Sequence, residues 1–226
     1  MSTIAILPVK SFGAAKQRLA GRLDAGSRRA LAQAMFADVL SSLRRVPGLN
    51  GAAVVTRDEV AESAARAEGV PVLPDTAEAG QTHAASIGIG HAIAAGFDRA
   101  LLVPGDTPLL DPCEVTKLLE RVPAVAIVPD RHLTGTNALL LSPPDAIEPR
   151  FGPDSLARHT AAAESADLAY SVERLPSLML DVDTAADLAE LEAALKRRRA
   201  AAPSTRKVLR RLERPRARSA PVRAAS

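Results

Sequence analysis

Three aspartates of the sequence follow apolar runs at points where a strand is expected to end. Asp106 follows the apolar run 100–103 through a Pro-Gly turn, and Asp181 and Asp183 are one residue apart at the end of another apolar run. Carboxylates at alternate positions of an extended segment lie on the same side of the backbone. Because Mg²⁺ prefers one or two carboxylates together with phosphate oxygens, we predict that Asp106, Asp181 and Asp183 hold this ion.

Each of these aspartates also has a structural interpretation. Asp106 is followed by a Thr-Pro pair, a context in which Asp commonly caps a turn. Asp183 or Thr184 could cap the helix predicted to follow, and such a cap would not exclude metal binding by Asp181. Both interpretations stay open at the level of the sequence.

The loop after the first predicted strand carries three cations, Lys10, Lys16 and Arg18. Flexible cationic side chains of this kind could neutralise a triphosphate and a leaving pyrophosphate. The glycine spacings of a Walker loop and of a dinucleotide fingerprint are absent from the sequence, so this would be another kind of phosphate site. The alternative is a solvated loop without a ligand.

A fourth cluster combines Arg131 and the run 134–136 with the run 151–155. Ser155 is predicted to lie in the first turn of a helix, where free backbone N–H groups and the helix dipole favour an anion. The cluster is therefore typical of a pocket for a small acid, with capping of the helix by Asp154 or Ser155 as the alternative. Ser155 and His159 share a helix face, but without a nucleophile elbow such a pair is a weak indication of hydrolysis.

These clusters require a framework that brings the ends of distant segments together. Apolar runs typical of buried strands alternate with helical patterns, which predicts a Rossmann-like α/β fold: a mostly parallel mixed sheet with helices on both faces. In such sheets, ligands bind beyond the carboxyl ends of the strands. Strands are predicted at 3–9, 52–56, 70–73, 100–103, 125–128, 138–141, 168–172 and 178–180, and helices at about 31–46, 58–68, 82–95, 111–121, 154–164 and 185–197.

The charge distribution divides the chain into two parts. The 226 residues, 47% of them hydrophobic, suffice for one sizeable core and are few for two. Residues 196–226 contain 12 of the 29 Lys and Arg but only one of the 26 acids. We therefore predict one folded domain at 1–195 and a basic, unstructured tail at 196–226. The tail is interpreted as a solvated appendage, with weak tethering to an anion such as RNA as the alternative.

Composition argues against several classes of function. The body is acidic and the whole chain has 2% aromatic residues and no Trp, so a nucleic-acid-binding domain is not expected. Cys113 is the only cysteine and cannot form an internal disulfide or a thiolate zinc site. No apolar run reaches the length of a membrane span and the first residues do not resemble a signal peptide, so we expect a cytoplasmic protein without a membrane partner.

Seven short motifs occur in a characteristic order: Pro8-Val9-Lys10, Phe12 to Leu19, Pro104-Gly105-Asp106, Pro129-Asp130-Arg131-His132, Gly135-Thr136-Asn137, Phe151-Gly152-Pro153-Asp154-Ser155 and Asp181-Val182-Asp183-Thr184. In order and spacing they resemble the family of phosphoenolpyruvate, 2-phospho-L-lactate and 3-phospho-D-glycerate guanylyltransferases, which serve the biosynthesis of the deazaflavin coenzyme F-420. The resemblance covers residues 3 to about 195, and Leu133 stands where the family's pattern has a glycine.

This resemblance implies a nucleotidyltransferase fold and a reaction in which a phosphate oxygen of a small acid attacks the α-phosphorus of GTP and releases pyrophosphate. It also implies three groups of site residues: the Mg²⁺ ligands Asp106, Asp181 and Asp183, the triphosphate-facing Lys10, Lys16 and Arg18, and the acceptor-binding Thr136, Gly152 and Ser155. Because the attacking phosphate is already anionic, no general base is needed, and positioning with charge neutralisation would supply most of the acceleration.

Two other functions are compatible with the same residues. The protein could transfer a nucleotide to another acceptor, such as a sugar phosphate or molybdopterin. It could instead be a noncatalytic nucleotide-binding module that uses the basic tail, because a fold alone does not fix a function. The identity of the acid, the residues that contact the base and the oligomeric state stay open, and a homodimer could form through exposed apolar faces of the sheet.

Overall fold

The computed structural model describes residues 1–121 and 123–213, and the end of the predicted tail, 214–226, lies outside the described residues. Its strands are β1 (Thr3–Pro8), β2 (Gly51–Thr56), β3 (Val72–Pro74), β4 (Arg99–Leu102), β5 (Val125–Pro129), β6 (Thr136–Leu141) and β7 (Tyr170–Val172). In the described part of the chain they form one sheet in the order β3-β2-β1-β4-β6-β5-β7. β6 is antiparallel to β4 and β5, and the other neighbours are parallel. The predicted mostly parallel mixed sheet is confirmed.

Helices cover both faces of this sheet, as predicted. They are α1 (Ala25–Leu43), α2 (Glu59–Ala67), α3 (Gln81–Ala94), α4 (Pro112–Leu119), α5 (Ser155–Ser165), α6 (Ala185–Arg197) and α7 (Pro203–Glu213). Side chains alternate along β1, so that Leu7 joins a core cluster with Phe36 of α1, while Ile6 joins the cluster of the opposite face with Ile89 of α3. Both faces of β1 are therefore buried, which explains its continuous apolar sequence. No helix among the residues that the structure describes is long and apolar enough to cross a membrane.

The strand predicted at 178–180 is wrong. Residues 176–178 form a turn, in which the Leu178 N–H donates to the Leu175 carbonyl at 2.9 Å. Leu178 is fully buried in the core, and its own carbonyl accepts from the Asn137 side chain at 2.9 Å. The apolar run therefore reflects burial of a turn, because a buried turn and a short buried strand look alike in sequence.

The boundary predicted between residues 195 and 196 is also wrong, because the chain stays folded to residue 213. α6 extends to Arg197, and α7 packs on α1 and α6. Thr205 and Leu209 of α7 are buried. Lys207, Arg210 and Arg211 are exposed, and the part-buried Arg206 guanidinium donates to the carbonyls of Leu195 and Arg198. Local charge excess therefore did not prevent docking through the apolar side of the helix.

One buried carboxylate fixes the start of α7. Asp38 of α1 accepts from the Ser204 N–H at 2.9 Å and from the Thr205 N–H at 2.7 Å. These are two of the first-turn amides that have no partner within their own helix. The tail therefore docks through a specific polar contact as well as through Leu209.

We predict that Asp38→Ala destabilises the protein, because it removes a helix cap with two charge-assisted hydrogen bonds. The expected loss is about 1–2 kcal/mol of unfolding free energy, measured by urea denaturation. Ser41→Ala, at an exposed position of the same helix, serves as the matched control. Equal stability of the two variants would show that α7 is held without this cap.

Candidate active site

Residues from all four sequence clusters line one open cleft of about 960 Å³ at the carboxyl edge of the sheet. β1 and β4 are parallel neighbours, so the loops that follow them bring Lys16 and Asp106 together. β6 runs in the opposite direction, so its first residue, Thr136, lies at the same edge. The cleft is of the size typical of small-molecule sites.

Nine of the ten predicted site residues line this cleft: Lys10, Lys16, Arg18, Asp106, Thr136, Gly152, Ser155, Asp181 and Asp183. They come from segments up to 173 positions apart in the printed sequence. Their convergence follows from the topology of the sheet. The roles assigned to them stay predictions.

A buried lysine links two of the predicted metal ligands. The Nζ of Lys16 lies 2.5 Å from Asp106 Oδ2 and 2.8 Å from Asp183 Oδ1, and its side chain is 8% exposed. Lys16 itself has φ 56°, a left-handed conformation, between two short 3-10 turns that bury Phe12 and Leu19. Burial lowers the pKa of Lys16, but the charges of Asp106 and Asp183 outweigh this effect, and the net result is a raised pKa. Lys16 therefore stays protonated at neutral pH.

Lys16 alone does not neutralise the negative charge of the three aspartates. Burial and then the charge of Asp106 raise the pKa of Asp181 to about 6, and a hydrogen bond from Asn137 to Asp181 Oδ1 at 3.2 Å opposes this. Asp106 Oδ1 is buried without a hydrogen-bond partner in the described part of the chain. An oxygen that lacks a donor, beside carboxylates that repel one another, fits a site for a divalent cation.

The described side chains do not form a complete metal-coordination site by themselves. No group of three His, Cys, Asp or Glu side chains among the described residues is placed to hold an ion by itself. Mg²⁺ needs only one or two carboxylates when substrate phosphates supply further oxygens. Asp106 with Asp181 or Asp183 meets that requirement. Asn137, which orients Asp181, belongs to a motif seen in the sequence, although its role was not predicted.

Arg131 was predicted to bind substrate, but it is not among the described residues that line the cleft. Its NH2 lies 2.6 Å from Oδ1 of Asp187. Oδ2 of Asp187 accepts from the backbone N–H groups of Asp183 at 3.1 Å and Thr184 at 2.7 Å. Arg131 thus holds the carboxylate that shapes the Asp181–Thr184 loop.

Asp187 was missed in the sequence, although a signal for it was present. Thr184 is the N-cap of α6, and its side chain and that of Asp187 form a reciprocal capping box. The Thr-x-x-Asp spacing is a recognisable helix start. The structure thus selects Thr184 over Asp183 as the cap and leaves the Asp183 side chain facing Lys16.

The opposite end of the cleft is built around the start of α5. Asp154 occupies the N-cap position with φ 56° and makes no side-chain capping hydrogen bond. Gly152 has φ 106°, a conformation that favours glycine, and Ser155 is 1% exposed. The capping interpretation of Asp154 is therefore not supported. The N–H groups of Ser155 and Leu156 donate to the carbonyls of Gly152 and Thr134, both at 3.1 Å, so the first turn of α5 offers an anion the Ser155 hydroxyl and the positive end of the helix dipole.

The cation loop is anchored by carboxylates that the sequence did not reveal. Ser11 donates its N–H to Glu78 Oε1 at 2.9 Å, and Phe12 donates its N–H to Asp58 Oδ2 at 2.8 Å. These backbone contacts fix the path of the loop. Lys10 and Arg18 themselves are exposed, so their charges can move to meet a phosphate group.

A buried histidine lies behind the end of the cleft formed by Thr136 and the start of α5. His159 of α5 is 0% exposed, and its Nδ1 lies 2.9 Å from Thr136 Oγ1. Its Nε2 accepts from the Arg150 N–H at 2.9 Å. Burial lowers the pKa of His159 to about 4, and the charge of Arg158 adds to this effect. The ring is therefore neutral at physiological pH.

We predict that His159 makes the protein less stable in acid. Its pKa is about 4 in the folded state and 6.5 in the unfolded chain, so the unfolded chain binds more protons between these values. The contribution is fully present above pH 6.5 and is lost as the pH falls to about 4; it amounts to about 3 kcal/mol. Urea denaturation from pH 7.5 to 4.5 should give a shallower decline for His159→Gln than for the parent protein. Parallel curves would contradict the lowered pKa.

Comparison with known proteins finds a matching family and similar sequences. A model of the family described as Guanylyl transferase CofC like matches residues 3–210, which extends the relationship beyond residue 195. Phosphoenolpyruvate guanylyltransferase from Conexibacter woesei is 49% identical over 216 residues, covering 94% of this chain and 97% of the relative. 3-phospho-D-glycerate guanylyltransferase from Colwellia psychrerythraea is 36% identical over 191 residues, covering 83% and 90%.

A solved structure shows the same fold. A putative nucleotide-diphospho-sugar transferase from Desulfovibrio desulfuricans G20 matches with a TM-score of 0.76 at 20% identity, covering 93% of this chain and 95% of the other. The predicted nucleotidyltransferase fold and the predicted enzyme class are confirmed. From the family match and the 49% identical relative, the chain belongs to the family of CofC-like guanylyltransferases.

Proposed function

We propose that the protein transfers GMP from GTP to the phosphate of a small phosphorylated three-carbon acid and releases pyrophosphate, as a step of coenzyme F-420 biosynthesis. The relative at 49% identity is named for phosphoenolpyruvate, which we propose as the acceptor ahead of 3-phospho-D-glycerate and 2-phospho-L-lactate. One observation carries the proposal: the start of α5, with Gly152 and Ser155, and the carboxylate cluster around Lys16 line the same cleft.

The two ends of the cleft suit different parts of the two substrates. Thr136, Gly152 and Ser155 supply hydrogen-bond donors without a formal charge, which suits the carboxylate of the acid. Lys10 and Arg18 supply mobile positive charge, which suits the β- and γ-phosphates of GTP. The reacting phosphate groups would then meet near Lys16 and Asp106.

The reaction needs positioning more than acid-base chemistry. A new bond forms between an acceptor phosphate oxygen and the α-phosphorus of GTP, and the bond from that phosphorus to the bridging oxygen breaks. The electron pair leaves with pyrophosphate, and no proton has to be removed from the anionic acceptor. Lys16 and the cation loop hold the negative charge that develops on the leaving group, the kind of stabilisation that accelerates such transfers most.

The site also suits a magnesium ion. Asp106, together with Asp181 or Asp183, would hold Mg²⁺, consistent with the unsatisfied Oδ1 of Asp106. When bound, the ion would polarise phosphate oxygens and neutralise their charge. Asn137 keeps Asp181 aimed into the cleft, and Arg131 and Asp187 keep the loop of Asp183 in place.

Pyrophosphate release tests the proposal directly. The purified protein is incubated with MgCl₂, each of the four nucleoside triphosphates and either one of the three acids or a sugar phosphate, with EDTA replacing MgCl₂ as the control. We expect release that requires GTP, MgCl₂ and one of the acids, with phosphoenolpyruvate the best. Release with GTP and a sugar phosphate, or no release from folded protein in any combination, would overturn the proposal.

A further inference from the structure

His159 connects two parts of the acceptor end that are distant in sequence. Thr136 begins β6, whereas Arg150 precedes the Gly152 turn at the start of α5. The neighbouring Phe151 donates its N–H to Thr82 Oγ1 at 3.0 Å, and its ring packs edge-on against His159 at 5.3 Å between centroids. The consecutive backbone N–H groups of Arg150 and Phe151 thus both donate to side chains, and the acceptor for Arg150 is His159.

The hydrogen bonds of His159 define where its proton lies. The Arg150 backbone can only donate, so Nε2 must be the acceptor nitrogen and carry no hydrogen. In a neutral ring the proton then lies on Nδ1, which donates to Thr136 Oγ1. The position of this proton is assigned from the hydrogen-bond partners of the His159 ring.

This assignment determines what Thr136 can offer to a ligand. Its oxygen already accepts from His159, and no further acceptor for its hydroxyl hydrogen is found among the residues that the structure describes. Thr136 lines the cleft, so this hydrogen is available to an oxygen atom there. If His159 carried its proton on Nε2, the Thr136 hydroxyl would donate to the ring and turn a lone pair towards the cleft.

We propose that His159 is a positioning residue for the acceptor acid: it fixes the Thr136 hydroxyl as a donor towards the acid's carboxylate and ties it to the Arg150–Gly152 turn. The inference rests on the proposed function, because it requires an acid at Thr136, Gly152 and Ser155. His159 does not touch the reacting atoms. It selects an anion over a hydrogen-bond donor at this end of the cleft, since only an acceptor oxygen can take the Thr136 hydrogen.

A double-mutant cycle tests this coupling through steady-state kinetics of pyrophosphate release. His159→Gln keeps an acceptor near Nε2 but loses the Nδ1 donor, and Thr136→Val removes the hydroxyl. We expect each single variant to raise the KM for the acid about tenfold, with the KM for GTP within about twofold of the parent. The double variant should be about as impaired as Thr136→Val alone, because coupled residues are not additive.

Conservative variants separate positioning from simple core packing. Asn at position 159 can place an amide N–H near Nδ1, so His159→Asn should recover most of the affinity for the acid that His159→Gln loses. His91→Gln, on α3 and outside the cleft, is the matched control. If His159 only packed the core, its variants would give a lower yield of folded protein and would impair both substrates alike. His159→Asn would then recover no affinity for the acid.

The outcomes distinguish this inference from the proposed function. A parent protein inactive with every acid defeats the proposed function. An active parent whose KM for the acid is unchanged in His159→Gln, or whose two single effects multiply in the double variant, overturns the role of His159 alone.

Nitrogen-15 NMR of the unmodified protein gives a test that does not depend on the folding of variants. The buried imidazole should show its proton on Nδ1 throughout pH 6–8. A proton on Nε2 would overturn the inference.

Discussion

Asp106→Ala is expected to lower the turnover number for pyrophosphate release at least about a hundredfold, a loss typical when a preorganised charge stabiliser is removed. The residue sits where β4 ends, its Oδ2 contacts Lys16 at 2.5 Å, and its Oδ1 is buried without a partner in the described part of the chain. Removing it takes away both a proposed metal ligand and the anchor of the buried lysine. Initial rates at saturating GTP and acid over a range of MgCl₂ concentrations measure the effect.

A carboxylate outside the cleft provides the control for this change. Asp145 is exposed, and Asp145→Ala should retain parental turnover and the parental dependence on MgCl₂. Near-normal turnover by folded Asp106→Ala would remove Asp106 from the mechanism and leave Asp181 and Asp183 as the candidate ligands.

Lys16→Met should have the second large effect, on turnover and on stability together. The side chain is 8% exposed between Asp106 and Asp183, so the variant leaves neighbouring carboxylates without a cation. Removing one partner of a buried pair costs about 3–5 kcal/mol, and we expect the lower end because Asp183 is half exposed. Thermal unfolding in EDTA should therefore show a clear loss, and turnover should fall about a hundredfold.

Unfolding with and without MgCl₂ provides a control for this prediction. Because a divalent cation neutralises the same carboxylates, MgCl₂ should stabilise Lys16→Met more than it stabilises the parent protein. Lys117→Met, on the exposed side of α4, should behave like the parent in both conditions. If Lys16→Met unfolds like the parent in EDTA, the ion pairs contribute no net stability.

Much of the site could be predicted because its residues immediately follow strands. Apolar runs that end in a charged or turn residue, such as the one before Asp106, identify both a strand and the edge at which it delivers a side chain. The same logic placed Lys16 in the loop after the first strand, whereas Thr136 begins β6. The α7 helix was not predicted, because its Lys and Arg residues outweigh the few apolar positions that dock, and docking depends on Asp38, which is 166 residues from Ser204.

Pairwise contacts were the least predictable part of the site. Arg131 was expected at the substrate, but Asp187 lies within 2.6 Å of it and holds its guanidinium. The tautomer of His159 depends on the Arg150 N–H, which no side-chain pattern encodes. Leu133, where the motif resemblance led us to expect a glycine, adopts φ 59°, a left-handed conformation that favours glycine.

Because β6 runs in the reverse direction, the residues of the proposed acceptor end lie in one continuous stretch of the chain. The chain leaves β5, turns, re-enters the sheet along β6 and continues to α5, so Thr136, Gly152, Ser155 and His159 all fall within residues 129–159. The nucleotide end, in contrast, is assembled from scattered segments. Recombination of one continuous stretch could therefore transfer a preference for another acid between relatives, whereas no single crossover would transfer a preference for another nucleotide.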